Sequence, residues 1–204
     1  MTVVTENLIE PQPGDRQPAP GNLSLVQAFV NSRWDLEHDL RDQFRDSEAL
    51  AGWLVERDLL PAGTAVSDAD LRRARDARDG LQALMFANNG ADLDPAVVEG
   101  LDRALSGPGP SVRLGADSPP DFVPWSPDLN GVLGLIGTIA AIAQLDCSWI
   151  RLKACRGEDC GWAFYDHSRN QAGSWCSMSV CGSRSKAKDY RRRQRSQTEA
   201  RRPD

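Results

Sequence analysis

Four of the five cysteines of this 204-residue chain fall in one short stretch. Cys155 and Cys160 form one C-x4-C pair, Cys176 and Cys181 form a second, and fifteen residues separate the two. A tight turn between paired cysteines lets both thiolates aim at one metal ion, and the intervening segment must then fold back to deliver the other pair. The spacing predicts one tetrahedral Zn²⁺ per chain, bound by Cys155, Cys160, Cys176 and Cys181. Four sulfur ligands leave no position for water, so the site is closed and structural, not catalytic. His167 lies within the loop, but the cysteines already fill the shell and it reads as a solvated side chain. Two disulfides are the rival use of the same cysteines. The N-terminus M-T-V-V-T-E-N-L-I-E has acidic residues and no apolar signal core, so nothing points to an oxidising compartment. The expected location is cytoplasmic.

The run that follows Cys181, G-S-R-S-K-A-K-D-Y-R-R-R-Q-R, is dominated by Lys and Arg, with Asp189 as its one acid. On a helix at about 100° per residue, Arg184, Lys188, Arg191 and Arg195 fall in one narrow stripe. Ala187, Tyr190 and Gln194 form the neighbouring face, which is expected to pack on the metal knuckle against Trp162, Phe164 or Trp175. A knuckle that presents a basic helix is an electrostatic match to a phosphate backbone. Arg184, Lys186, Lys188, Arg191, Arg192 and Arg195 are therefore the candidate contacts to double-stranded DNA. Charge alone does not separate DNA from RNA, so an RNA-binding protein stands as an alternative. The three aromatics are expected to cover the knuckle and not to stack on bases.

The pattern R-L-K-A-C-x4-C-G-W-A-F-Y-D-x-S…W-C-S-M-x2-C-G-S-R-x-K-A-K-x-Y-R resembles the CGNR zinc-finger proteins, in which a helical domain called ABATE precedes the finger. The resemblance runs from about Leu23 to Arg195 and is most specific in the C-terminal quarter. It implies a bacterial transcription regulator with zinc at the same four cysteines and a small, treble-clef-like finger ending in a basic helix. One departure is visible. The motif that names the family has Asn where this chain has Ser183, which keeps a hydroxyl but lacks the amide's two donors and its carbonyl. Arg184 is retained.

These residues have to be positioned by the remainder of the chain, whose net charge is −5. The two parts differ sharply. Residues 1–150 carry 11 basic and 23 acidic side chains, net −12, whereas residues 151–204 carry 13 and 6, net +7. Such asymmetry indicates two parts with different partners. Residues 1–21, with Pro11, Pro13, Pro18 and Pro20, read as a disordered arm. Residues 22–148 read as the helical domain, 149–195 as the finger with its basic helix, and 196–204 as a frayed tail.

Within the helical domain, Leu25, Val26, Phe29 and Val30 share one helical face. Trp34 and His38 sit at helical spacing and read as core-edge residues. Ser47 caps a helix to Arg57 with Leu50, Trp53 and Leu54 inward. Ser67-Asp68-Ala69-Asp70 resembles a capping box before a helix to about Asn88, with Leu71, Ala74, Ala77, Leu81 and Leu84 inward. Its Arg72, Arg73, Arg75 and Arg78 alternate with acids and read as a solvated face. Asn88-Asn89-Gly90 is a turn, and Asp94-Pro95 starts the next helix. Ser111 to Trp125 reads as a small hairpin or irregular loop. The helix from Asp128 to Asp146 is almost wholly apolar over Gly131–Ala143, too short to span a bilayer and therefore a buried core helix. Gly131, Gly134 and Gly137 make a small-residue ridge for a close neighbour, within the domain or across a dimer. Cys147 reads as a buried, inert thiol, and Trp149–Ala154 as a link or strand into the finger.

The fold expected is mainly α. No G-x-S-x-G, P-loop, H-E-x-x-H or Rossmann glycine pattern is present and only two histidines exist, so the chain does not read as an enzyme. The reading is a zinc-dependent DNA-binding transcriptional regulator. Its N-terminal domain would sense a small-molecule effector or form a homodimer, and no membrane association is expected. The alternative from another class is a protein-interaction module with a purely structural zinc knuckle.

Overall fold

The computed structural model describes residues 12–34, 42–114, 116 and 121–199, with side chains for all of these except 15, 189 and 195–199. His38 lies outside the described residues. Short acidic or hydroxyl side chains set where most helices begin. Asp46 accepts from the Ala49 N–H at the start of α2 (Ser47–Val55), so the cap is Asp46, with Ser47 the first helical residue. At the start of α3 (Asp68–Asn88), Ser67 and Asp70 close a reciprocal capping box. Asp94 caps α4 (Pro95–Leu105) and Asp128 caps α5 (Leu129–Leu145). Each cap satisfies an amide that has no partner inside its own helix.

α1 (Leu23–Asn31) is buried on nearly every side and packs against α3 and α5. Phe29, Phe44 and Trp53 form an aromatic cluster, with ring centroids 5.3 to 6.1 Å apart, that ties α2 to α1. Leu81 and Met85 of α3 and Leu133 and Ile136 of α5 fill the centre. β1 (Ser111–Arg113) and β2 (Asp121–Val123) pair antiparallel as a small hairpin. The glycine ridge of α5 is used inside the domain. A Cβ on Gly131 would lie 2.1 Å from the Ser126 carbonyl oxygen and one on Gly134 2.4 Å from that of Pro108, while Gly137 faces Leu105.

A short 3-10 turn at Trp149–Arg151 leads into β3 (Leu152–Ala154), which pairs antiparallel with β4 (Ala163–Tyr165). Alternation puts Leu152, Ala154, Ala163 and Tyr165 on the face that joins the helical core. Phe164 lies on the other face, in a second apolar cluster with Cys155, Trp162, Cys176 and Cys181. Side-chain amides clasp the hairpin. Asn31 accepts from the Ala163 N–H at 2.7 Å and donates to the Ala163 carbonyl at 2.9 Å. Gln82 donates to Gly161, Asn88 to Trp149 and Leu152, and Asn89 to Ala154 and Ser174.

Several sequence expectations need correction. Residues 12–20, read as part of a disordered arm, lie against the finger, because Arg16, Gln12 and Ala19 find hydrogen-bond partners there and on α1. The β3–β4 hairpin shares one apolar core with the helical domain, and α6 spans Ser183–Glu199. Arg78 is not on a solvated face. It is 2% exposed, paired with both Asp42 carboxylate oxygens and stacked on Phe44. Arg73 and Arg75 also bond backbone carbonyls. Cys147 is exposed and ends α5 with a positive φ of 63°.

Two substitutions test this packing. Asn31→Ala leaves the buried Ala163 amide without its acceptor and should cost about 1–3 kcal/mol in chemical denaturation. Gly131→Ala raises intrinsic helix propensity by about 1 kcal/mol, yet its methyl would strike the Ser126 carbonyl, so a net loss of stability is expected.

Candidate metal centre and basic helix

The antiparallel hairpin brings Cys155, at the end of β3, opposite the Trp162 carbonyl, which accepts the Cys155 N–H at 2.9 Å. The first knuckle turns within Cys155–Cys160. The Gly157 N–H points at the Cys155 sulfur at 3.3 Å and the Cys160 N–H bonds the Gly157 carbonyl. A Cβ on Gly157 would sit 2.9 Å from the Cys181 sulfur, so a larger residue would crowd the cluster. Asp159 and Gly161 take positive φ to reverse the chain. The second pair arrives on a loop that Asp166 organises. Its carboxylate, 1% exposed, accepts from Lys153, Ser168 and the Gly173 N–H. Burial opposes ionisation of Asp166, but these hydrogen bonds override it and hold its carboxyl at about 2.

All four sulfurs lie within 4.8 Å of one another. The Cys160–Cys176 and Cys176–Cys181 separations are 3.6 and 3.7 Å. A tetrahedron with Zn–S of about 2.3 Å has edges of about 3.8 Å, so the donor set fits zinc. The cysteines are free thiols. Hydrogen bonds from the Cys160 and Cys176 thiols pull the Cys155 sulfur well below the usual thiol range. Donation to Cys155 pushes Cys160 up, and Cys176 is raised for the same reason. Sulfurs that must share protons to coexist are sulfurs that a divalent cation relieves. Trp162 and Phe164 are buried and Trp175 is half-buried, so these aromatics shield the knuckle. His167 sits outside the cluster, its Nε2 3.1 Å from the Pro18 carbonyl oxygen.

A π-helical turn at Met178–Gly182 carries Cys181 directly into α6. Ser183 donates from its hydroxyl to the Met178 carbonyl at 3.0 Å, one bond where the family asparagine would have more capacity. Arg184, Lys186, Lys188, Arg191 and Arg192 are exposed along α6, as is Arg193; Arg195 is on the helix, with its side chain outside the described residues. The face expected to pack on the knuckle does not. Tyr190 is 64% exposed, and Ala187 and Gln194 are exposed as well. Packing needs apolar bulk, and that face offers only Ala187 and an aromatic whose hydroxyl bonds Gln194. Lys188 reaches back to Glu158 of the first knuckle, 2.7 Å from each oxygen.

Sequence reasoning missed Arg16, the amide clasp and the Lys153–Asp166 pair. In the sequence, Asn88 and Asn89 show only turn propensity. Gly90 takes a positive φ in that turn, but the side chains act at a distance that no local pattern encodes.

Elemental analysis of protein purified without chelator should find one zinc per chain. Its apparent binding free energy should be about 10–16 kcal/mol near neutral pH. Because the hairpin belongs to both clusters, stripping the metal should lower the melting temperature of the whole chain, not only of the finger.

Comparison with known proteins agrees with this geometry. The model for the CGNR zinc finger matches residues 151–194, which implies a zinc ion at the cysteine cluster. The ABATE model, described as "Putative stress-induced transcription regulator", matches residues 23–148, more than half of the chain. No curated protein matches. The chain thus belongs to the ABATE family, with a CGNR zinc finger following its helical domain.

Proposed function

We propose that the protein is a DNA-binding transcriptional regulator whose finger contacts duplex DNA through α6 and whose helical domain senses an effector or dimerises. The observation that carries this is α6 itself. It is basic, exposed at every described side chain from Lys186 to Gln194, and rooted in the last metal ligand. An isolated polar helix gains little from its own sequence and is best explained by a partner. A phosphate backbone supplies one with the right charge. The description of the ABATE family as a regulator supports the same reading. Both families are of regulator and zinc-finger type, and no helix among the described residues is long and apolar enough to cross a membrane.

An effector would suit the cleft of about 400 Å³ between α3 and α4, which presents Arg73, Asp76, Asp79 and Arg103. A homodimer cannot use the glycine ridge, which is filled within the domain. The apolar surface left at the end of α5 is Ile142, Leu145 and Ile150, with Leu145 84% exposed. Light scattering should then report twice the chain mass, and Leu145→Glu should return it to a monomer.

If Arg184, Lys188, Arg191 and Arg195 each meet a phosphate, log K for duplex DNA should fall with log salt at a slope of about −3.6, taking about −0.9 per contact. Lys188→Glu with Arg191→Glu should abolish binding in fluorescence anisotropy while zinc content stays unchanged. Weak binding without sequence preference in selection from random duplexes would instead favour the protein-interaction module.

A further inference from the structure

The family matches begin at Leu23 and at residue 151, so residues 12–20 belong to neither. Yet this segment lies against the second cysteine pair. Arg16 Nε donates to the Cys176 carbonyl at 2.7 Å, and its Nη2 donates to the Trp175 carbonyl at 2.8 Å. Its Nη1 reaches the Tyr165 carbonyl at 3.4 Å, and the guanidinium lies 4.5 Å from the Phe164 ring centroid. One side chain therefore ties β4, the second knuckle and the aromatic cover of the site together.

The segment that carries Arg16 is itself fixed at both ends. Gln12 accepts from Trp162 Nε1 and from Gln27, and the buried Ala19 donates its N–H to Gln27. Between them, Gly14 takes a φ of +66°, and a Cβ there would lie 2.4 Å from the Ser177 hydroxyl oxygen. Glycine at this positive φ lets the turn at Pro13–Asp15 approach the second knuckle so closely.

We propose that Arg16 is a positioning residue of the metal centre. The planar fork holds the carbonyls of the two peptide units that flank the Cys176 Cα, and with them the orientation of the Cys176 side chain. Four thiolates outweigh Zn²⁺ by two charges, and a guanidinium that cannot deprotonate offsets part of that excess. Partners of this kind, outside the ligands, commonly change metal affinity by about 10–100-fold. The inference rests on zinc at the four cysteines and is independent of any role in DNA binding.

The test uses the full, zinc-loaded chain and follows zinc release to a chromogenic chelator. Arg16→Ala should release zinc faster by about tenfold or more. Arg16→Lys keeps the charge but not the fork, and should recover only part of the loss. Ile136→Ala, a core change in α5 remote from the site, should lower the melting temperature without accelerating release to the same degree. The cobalt-substituted Arg16→Ala protein should also show displaced thiolate-to-metal absorption bands. A release rate for Arg16→Ala indistinguishable from wild type would overturn the proposal. So would Ile136→Ala releasing zinc as fast as Arg16→Ala. Should Arg16→Ala not fold, Arg16→Lys decides the matter, and a wild-type rate there overturns it. A wild-type chain that holds no zinc removes the metal centre and the proposal with it, whereas failure to bind DNA touches neither.

Discussion

A β-strand sends successive side chains to opposite faces, and this chain buries both faces of its β3–β4 hairpin. A hairpin of three-residue strands has little stability of its own. Its backbone groups and its side chains must all be satisfied by neighbours. On one face small and apolar residues enter the helical core. At its edges the backbone is met by amide side chains from α1 and α3, which act as surrogate strands. On the other face Lys153, 5% exposed, would be a costly buried charge without Asp166 beside it. That ion pair then sets the loop from which Cys176 departs. The cysteine cluster is thus assembled by a wall whose far side is the centre of the helical domain.

Electrostatics divide the molecule along different lines from packing. The acidic side chains belong mostly to the helical domain, while α6 carries much of the positive charge away from it on an exposed rod. The contact between Lys188 and Glu158 is solvent-exposed on both sides, and pairs of that kind contribute little. Interaction between exposed charges is screened over about 10 Å at moderate salt. The exposure of α6 therefore separates the basic surface from the acidic one by geometry instead of by strong bonding.

Much of this architecture was legible in the sequence because local chemistry governed it. The Ser67–Asp70 capping box, the Asp94-Pro95 start, the apolar α5 and the four-cysteine cluster all follow from spacing within a few residues. What was misread depended on partners far along the chain. Arg78 looked solvated because its neighbours in sequence are charged, yet its carboxylate lies 36 residues away. Gln27 and Asn31 look like ordinary polar positions on α1, and their function emerges only when Ala163 arrives beside them. The proline-rich composition around Arg16 signalled disorder, whereas the carbonyls it meets lie some 160 residues distant.

The amide clasp has an evolutionary consequence. Zinc fingers are commonly pictured as cassettes that recombination can move between unrelated proteins. Here Asn31, Gln82, Asn88 and Asn89 read the main chain of the finger, not its side chains. A transplanted finger would thus have to bring α1 and the C-terminal half of α3 with it, whereas a homologous finger of different sequence but the same backbone would seat in the existing clasp. Sequence drift within the finger is tolerated by such a joint, and horizontal exchange of the finger alone is not.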